Sequence, residues 1–168
     1  MNQQLEQEFV NLLESNQNIL HKICRLYTAD LDSHQDLFQE MVIQLWKSFP
    51  KYRGEAKFST WAYRVSLNTA ISMYRGTRTK ISTVDWDQSL SNIQYEEYND
   101  QTEEQLQWLY QAVRQLNDID KALVYMYLED KDYHEISETL GISIINARVK
   151  MNRIKVKLKG ILEKKGVI

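Results

Sequence analysis

The residues in this sequence that could do chemistry lie in a cationic segment near the C-terminus, where amide and guanidinium side chains recur at helical spacing. Arg side chains hydrogen-bond the edges of guanine in the DNA major groove, Asn side chains do the same with adenine, and Lys side chains bind phosphate. The segment therefore predicts a helix that reads duplex DNA. Its outward residues are Ile145, Asn146, Arg148, Val149, Asn152 and Arg153, and all except Ile145 are predicted DNA contacts.

A helix-turn-helix pattern positions this recognition helix. Residues 133–140 predict a short first helix, Gly141 supplies the backbone freedom of the turn, and Ser143 caps the first amides of the second helix. Two packed amphipathic helices with a solvated basic tail would give the same periodicity, so this pattern alone leaves that alternative open. The residues expected to pack the two helices together are Ile136, Leu140, Ile142, Ala147 and Met151.

A second segment, 58–75, interleaves aromatic and cationic side chains and follows a basic loop that includes Lys57. Bases of an unpaired strand stack on aromatic faces while Lys and Arg follow the phosphates, so the segment suits single-stranded nucleic acid. We expect Tyr63, Arg64 and Asn68 on its exposed face. Trp61 is expected in the core, because aromatic side chains dominate small cores.

The charge alternates along the chain, although its 168 residues sum to a net charge of only -2. The net charge is +6 over residues 51–80, -7 over 81–110 and +5 over 133–168. Clustered Lys and Arg release counterions from phosphates, so the two basic blocks predict two surfaces that face nucleic acid. Either basic block taken alone would also fit a solvated helix face.

Several function classes are not expected. The single cysteine, Cys24, cannot form an internal disulfide, and His21, His34 and His134 lack the spacing of metal ligands. The chain has no Gly-rich phosphate loop and no hydrolase or zinc-protease motif, so we expect neither an enzyme nor a cofactor. No signal peptide and no long apolar run are present, which predicts a cytoplasmic chain without membrane insertion.

Apolar residues recur at intervals of three, four and seven, which predicts an all-α fold. The first helix is expected over 3–27, with a break marked by Ser15 and Asn16. A second is expected from Ser33, whose hydroxyl would cap it, to Pro50. A third is expected over 59–75, and its core contacts would be Phe58, Trp61, Val65 and Ile71.

The two halves together resemble a bacterial sigma factor of the extracytoplasmic-function (ECF) group of the sigma-70 family. The run from Asp36 to Trp46, DLFQEMVIQLW, resembles the family's D-L-x-Q-E-x-F-x-x-x-W helix of region 2. That resemblance implies that Asp36, Gln39 and Glu40 contact the clamp helices of the largest subunit of core RNA polymerase. Without the resemblance, the three residues would be interpreted as part of an ordinary solvent-exposed helix face.

The resemblance also assigns the two DNA surfaces. Phe58-Ser-Thr-Trp, Asn68 and Arg75 match the region 2 segment that melts the -10 element and captures a flipped base, which implies a DNA role for Lys57, Asn68 and Arg75. Residues 135–143, EISETLGIS, resemble region 4, which reads the -35 element as duplex. The recognition helix departs from the family's common T-V-K-S-R-L, because Val149 stands where a serine often faces DNA.

These observations predict two small helical domains joined by an acidic linker. Region 2 would span 1–78, the linker 79–102 and region 4 103–168, and the linker resembles the segment that passes through the RNA exit path of the polymerase. The predicted function is transcription initiation at promoter DNA together with core polymerase, and an anti-sigma factor is a common partner in the family. The alternatives are a free-standing helix-turn-helix regulator and a helical adaptor that binds only proteins.

Overall fold

A computed structural model describes residues 2–75 and 100–168, and the side chains of 100–102 are not described. The chain divides into two compact units, Met1–Ser89 and Leu90–Ile168. All regular elements within the described residues are helical, so the predicted all-α class is confirmed. Most of the predicted acidic linker lies outside the described residues, and its last three residues belong to a helix that begins at Asp100.

The N-terminal unit is a bundle of three helices in which every helix packs against the other two. Amphipathic periodicity gives each helix an apolar stripe, and the stripes meet in one core. The helices are α1 (Gln3–Tyr27), α2 (Leu31–Ser48) and α3 (Phe58–Tyr74), and a single 3-10 turn (Phe49–Lys51) follows α2. The fully buried side chains include Leu20, Ile23, Leu26, Leu37, Met41, Leu45 and Leu67.

Helix α1 is continuous, so the break predicted at Ser15 and Asn16 is wrong. The Ser15 hydroxyl donates to the Asn11 carbonyl at 2.9 Å, and the Asn16 amide donates to the Leu12 carbonyl at 2.7 Å. Both side chains bond back to a carbonyl four residues earlier, which is the arrangement that lets polar residues stay inside a helix.

Helix α2 begins two residues earlier than expected and has a different cap. The Asp30 carboxylate accepts hydrogen bonds from the Ser33 backbone amide and the Ser33 hydroxyl, both at 2.8 Å. Ser33 is therefore a donor to the cap and not the cap itself. An acidic cap also complements the positive end of the helix dipole, which explains why Asp30 takes this position.

An aromatic cluster closes one end of the N-terminal bundle and fixes the basic loop before α3. Phe49 lies at its centre, with ring centroids 5.1 Å from Phe9, 6.0 Å from Tyr52, 6.3 Å from Phe58 and 6.2 Å from Trp61. The Tyr52 hydroxyl also donates to the Ala56 carbonyl at 2.6 Å. These contacts hold the loop that carries Lys57.

The core side of α3 differs in part from the prediction. Phe58 is buried as expected, but Trp61, Val65 and Ile71 are only half-buried. Three of the six buried residues of α3 are small, whereas the prediction considered only large apolar ones. The buried residues of α3 are Phe58, Ala62, Tyr63, Ser66, Leu67 and Ala70.

Residues 100–168 of the C-terminal unit form four helices, of which α7 contacts the other three. They are α4 (Asp100–Arg114), α5 (Asp118–Leu128), α6 (Tyr133–Leu140) and α7 (Ile144–Lys164). Ile136, Ala147 and Met151 are buried between the last two helices, as predicted, whereas Leu140 and Ile142 are half-buried. The core of this unit is therefore built around α7.

The predicted turn between α6 and α7 is confirmed. Gly141 has a φ of 68°, in the left-handed region, and its amide donates to the Ser137 carbonyl at 2.9 Å. The Ser137 hydroxyl donates to the Ile142 carbonyl, and the Ser143 hydroxyl accepts from the Asn146 amide at 3.1 Å. Backbone groups at the end of α6 and the start of α7 are thus satisfied within the turn.

Two glycines of this unit give opposite predictions for the same substitution. Gly141→Ala should lower the free energy of unfolding by about 1–2 kcal/mol, since a left-handed backbone disfavours a Cβ atom. Gly160→Ala should raise it by up to about 1 kcal/mol, because Gly160 lies inside α7 and an added methyl group would meet only open space. Urea unfolding of the two variants measures both changes, and the same sign for both would contradict the turn geometry.

Candidate DNA and polymerase interfaces

The recognition helix α7 presents all five predicted DNA contacts to solvent. Asn146, Arg148, Val149, Asn152 and Arg153 are exposed, and Val149 retains 41% of its exposed area. Ala147, Met151, Ile154 and Leu158 are buried on the opposite side. The helix is therefore anchored along one face and free along the other, as a helix that enters the major groove must be.

Aromatic side chains orient two cations beside the helix-turn-helix. The Arg148 guanidinium lies over the Tyr133 ring, 5.4 Å from its centroid. The Lys155 ammonium lies 4.5 Å from the centroid of Tyr127 and donates to its hydroxyl at 2.9 Å, which raises the pKa of Lys155 above its usual value. Both cations keep their charge in contact with an aromatic face.

On α3, the structure exposes most of the predicted single-strand contacts. Lys57, Arg64, Asn68 and Arg75 are exposed, and the first of them lies in the loop held by the aromatic cluster. Tyr63 is an exception, since only 6% of its area is exposed. The expectation that Tyr63 lies on the exposed face is therefore wrong, because its ring lies on the buried side of α3 together with Ala62 and Ser66.

The predicted polymerase contacts lie on the outer side of α2. Asp36 and Gln39 are exposed, and Glu40 is half-buried and accepts a hydrogen bond from the Gln44 amide at 2.7 Å. Ile43 lies one turn further on the same side and is 44% exposed. An apolar side chain among acidic and amide groups is typical of a protein interface, where an apolar anchor is surrounded by polar contacts.

A groove between α2 and α3 joins the two candidate interfaces of the N-terminal unit. Glu40 and Asn68 lie on its opposite walls, so a predicted polymerase contact and a predicted DNA contact line one surface. The remaining lining side chains are Gln44, Ser48, Val65, Thr69, Ser72 and Met73. This juxtaposition is not visible in the sequence, because it depends on how α3 packs across α2.

The structure also brings together two histidines that are thirteen positions apart in the sequence. His21 Nδ1 and His34 Nε2 are 3.0 Å apart, and the His21 ring stacks on Phe38 with centroids 4.6 Å apart. Burial lowers the pKa of both imidazoles, and the charge of Arg25 lowers both further. The pair is therefore neutral near pH 7 and links α1 to α2 through one hydrogen bond.

This pair predicts a stability that depends on pH. Because the folded-state pKa values lie below the usual value of 6.5, the unfolded chain binds more protons as the pH falls from 7 toward 5, and the free energy of unfolding decreases. Denaturant unfolding of the N-terminal unit at pH 7, 6 and 5 measures the slope of the free energy of unfolding against pH. His21→Gln should reduce the slope, because it removes one of the two imidazoles whose pKa is lowered. A slope equal to that of the unmodified chain would refute this role.

Residues 2–75 and 100–168 contain no metal centre and no membrane span. No group of three or more His, Cys, Asp or Glu side chains is arranged to hold a metal ion there. None of the helices described has the length and apolar character needed to cross a membrane.

Comparison with known proteins finds a family match in each of the two units. The family model of Sigma-70 region 2 matches residues 12–79, and that of Sigma-70 region 4 matches residues 106–158. RNA polymerase sigma factor SigZ of Bacillus subtilis is 31% identical over 136 residues, which cover 76% of this chain and 72% of the relative. The RNA polymerase sigma-H factor of Pseudomonas aeruginosa is 28% identical over 149 residues, which cover 80% and 77% of the two chains.

Solved structures share the fold. The sigma factor RpoE of Bartonella quintana, in complex with the anti-sigma factor NepR, matches with a TM-score of 0.67 and 16% identity over 96% of this chain and 98% of RpoE. CnrH, in complex with the cytosolic domain of CnrY, matches with a TM-score of 0.66 and 16% identity over 95% of this chain and 90% of CnrH.

Proposed function

The chain belongs to the sigma-70 family, in its ECF group, and we propose that the exposed faces of α2, α3 and α7 each perform one part of promoter recognition. As a sigma factor, it binds RNA polymerase and directs it to promoter DNA. The observation that carries the proposal is the pair of family matches, one in each compact unit and in the order region 2 then region 4. A free-standing regulator would have no use for region 2.

We assign polymerase binding to the outer side of α2. Asp36, Gln39 and Glu40 present two carboxylates and an amide to the clamp helices of the largest subunit, and Ile43 adds an apolar contact one turn further along α2. Burial of one such side chain supplies about 1.5–3 kcal/mol, and the acidic groups select a cationic partner surface.

We assign the -10 element to α3 and the loop before it. Lys57, Arg64 and Arg75 supply cations for the phosphates of the separated strand, and Asn68 offers both a donor and an acceptor to an unstacked base. Flipping a base costs a few kcal/mol, so contacts to the captured base must offset that cost before the duplex stays open. The mechanism needs binding free energy alone, and we propose no catalytic activity for the chain.

We assign the -35 element to α7, where Asn146, Arg148, Val149, Asn152 and Arg153 face outward. The acidic segment 79–102 would join the two DNA-reading units within the RNA exit path. The solved relatives RpoE and CnrH are bound to partners, and a partner that covers these surfaces would act as an anti-sigma factor for this chain as well. We propose that the chain acts in the cytoplasm, where RNA polymerase and promoter DNA lie.

Transcription in vitro tests the proposed function. Core bacterial RNA polymerase is mixed with genomic fragments, with and without the chain, and the 5′ ends of the transcripts are mapped. We expect new start sites that share two short upstream elements at constant spacing. Start sites that do not change on addition of the chain would contradict the proposal.

A further inference from the structure

An apolar stripe runs along the outward face of α7. Ile145 is 75% exposed, Val149 is 41% exposed and Val156 is 74% exposed. The residues are four and seven positions apart, so they lie on one side of the helix, opposite the buried Ala147 and Met151. Ile145 and Val149 lie in consecutive turns, and covering exposed branched apolar side chains with a partner is favourable because it removes them from water.

The surroundings of the stripe indicate what that partner is. Asn146, Arg148 and Asn152 flank it and are exposed, and α7 carries seven Lys or Arg residues but one acidic residue. The major groove of DNA presents hydrogen-bonding base edges between phosphates, and its one apolar group is the C5 methyl of thymine. A cationic helix with flanking amides and an apolar centre is complementary to that surface.

We propose that Ile145 and Val149 set promoter specificity by contacting the C5 methyl groups of two thymines in the -35 element. The proposal rests on the DNA-reading role of α7 and adds Ile145 to the DNA contacts predicted from the sequence. Side chains four residues apart are separated by about 6 Å along a helix axis. Successive base pairs are about 3.4 Å apart, so the two methyl groups lie no more than about two base pairs apart along the DNA axis, whatever the tilt of α7.

Replacement of thymine by deoxyuridine tests this contact directly, because it removes the methyl group and nothing else. A -35 element is first selected from randomised duplex with the full chain bound to core polymerase on a template whose -10 region is already open. Each thymine of the selected element is then replaced in turn, and the affinity is measured. We expect about a fourfold loss at each of two positions that are no more than about two base pairs apart, which is the value for one buried methyl group.

Variants of the chain assign each methyl group to a side chain. Val149→Ala should abolish the loss at one position and Ile145→Ala the loss at the other, since the contact is then already absent. Val156→Ala is the matched control, because Val156 is also an exposed valine of α7 but lies about 10 Å further along the helix axis than Val149. That variant should keep both losses.

Two results would overturn the proposal. One is a selected element in which deoxyuridine replaces every thymine without loss of affinity, and the other is losses that persist in both variants. If no complex with polymerase forms, the selection and the replacements are made with the free chain on duplex DNA. If the free chain binds duplex DNA and the affinity depends on the thymine methyl groups, the specificity proposal is supported although the sigma function is refuted. If the affinity does not depend on the methyl groups, the specificity proposal is overturned.

Discussion

The Gln39→Ala/Glu40→Ala variant is expected to bind core RNA polymerase at least about 30-fold more weakly than the unmodified chain. Both side chains lie on the outer side of α2 next to the exposed Ile43. Truncation of central interface residues costs about 2 kcal/mol or more, which corresponds to that factor. The fold should be unaffected, because neither side chain is in the core. Titration of labelled polymerase with each protein measures the change.

The chain offers a matched control for this experiment. Gln7 and Glu8 form the same Gln-Glu pair on α1, and both are exposed. Gln7→Ala/Glu8→Ala removes the same groups and the same charge from the same unit, so it should bind polymerase like the unmodified chain. Equal affinities for the two double variants would refute the assignment of α2 to the polymerase.

The second large effect is expected in promoter opening. Arg64→Ala/Asn68→Ala should lower the equilibrium constant for conversion of the closed complex to the open complex by about 30-fold or more. The double substitution removes a phosphate contact and the groups proposed to hold the flipped base. Fluorescence of 2-aminopurine within the -10 element reports the unstacked base. Affinity for polymerase should stay within about twofold, because the polymerase contacts proposed on α2 are unchanged in this variant.

Asn18→Ala provides the comparison for this variant. Asn18 is exposed on α1, so its loss removes the same amide from the same unit away from α3. It should open the promoter normally. If Arg64→Ala/Asn68→Ala also opened the promoter normally, the exposed face of α3 would have no part in strand separation.

Local signals made the helix-turn-helix predictable. Gly141 in a left-handed turn and Ser143 as a cap are dictated by backbone chemistry within a few residues, and the structure has both. The same kind of signal was misleading in α1, where Ser15 and Asn16 bond to carbonyls of the preceding turn and continue the helix. A polar side chain alone does not distinguish a cap from such a bond.

Features that depend on packing between helices were not predictable in this way. Tyr63 is buried on the same side of α3 as Ala62, Ser66 and Ala70, and a helix face of small side chains gives only a weak hydrophobic signal in the sequence. The contact between His21 and His34 depends on the register of α1 against α2. The groove that places Glu40 opposite Asn68 depends on the packing of α2 and α3. In each case the residues were visible in the sequence, but their proximity was not.

Whether this chain works as a subunit of RNA polymerase is decided by co-elution of the purified chain with core bacterial polymerase. We expect a stable complex in size-exclusion chromatography, and its loss in the Gln39→Ala/Glu40→Ala variant. The contrary result is a chain that does not bind polymerase but binds duplex DNA as a dimer with an affinity that falls as the salt concentration rises. That result would refute the role as a polymerase subunit and establish a free-standing helix-turn-helix regulator.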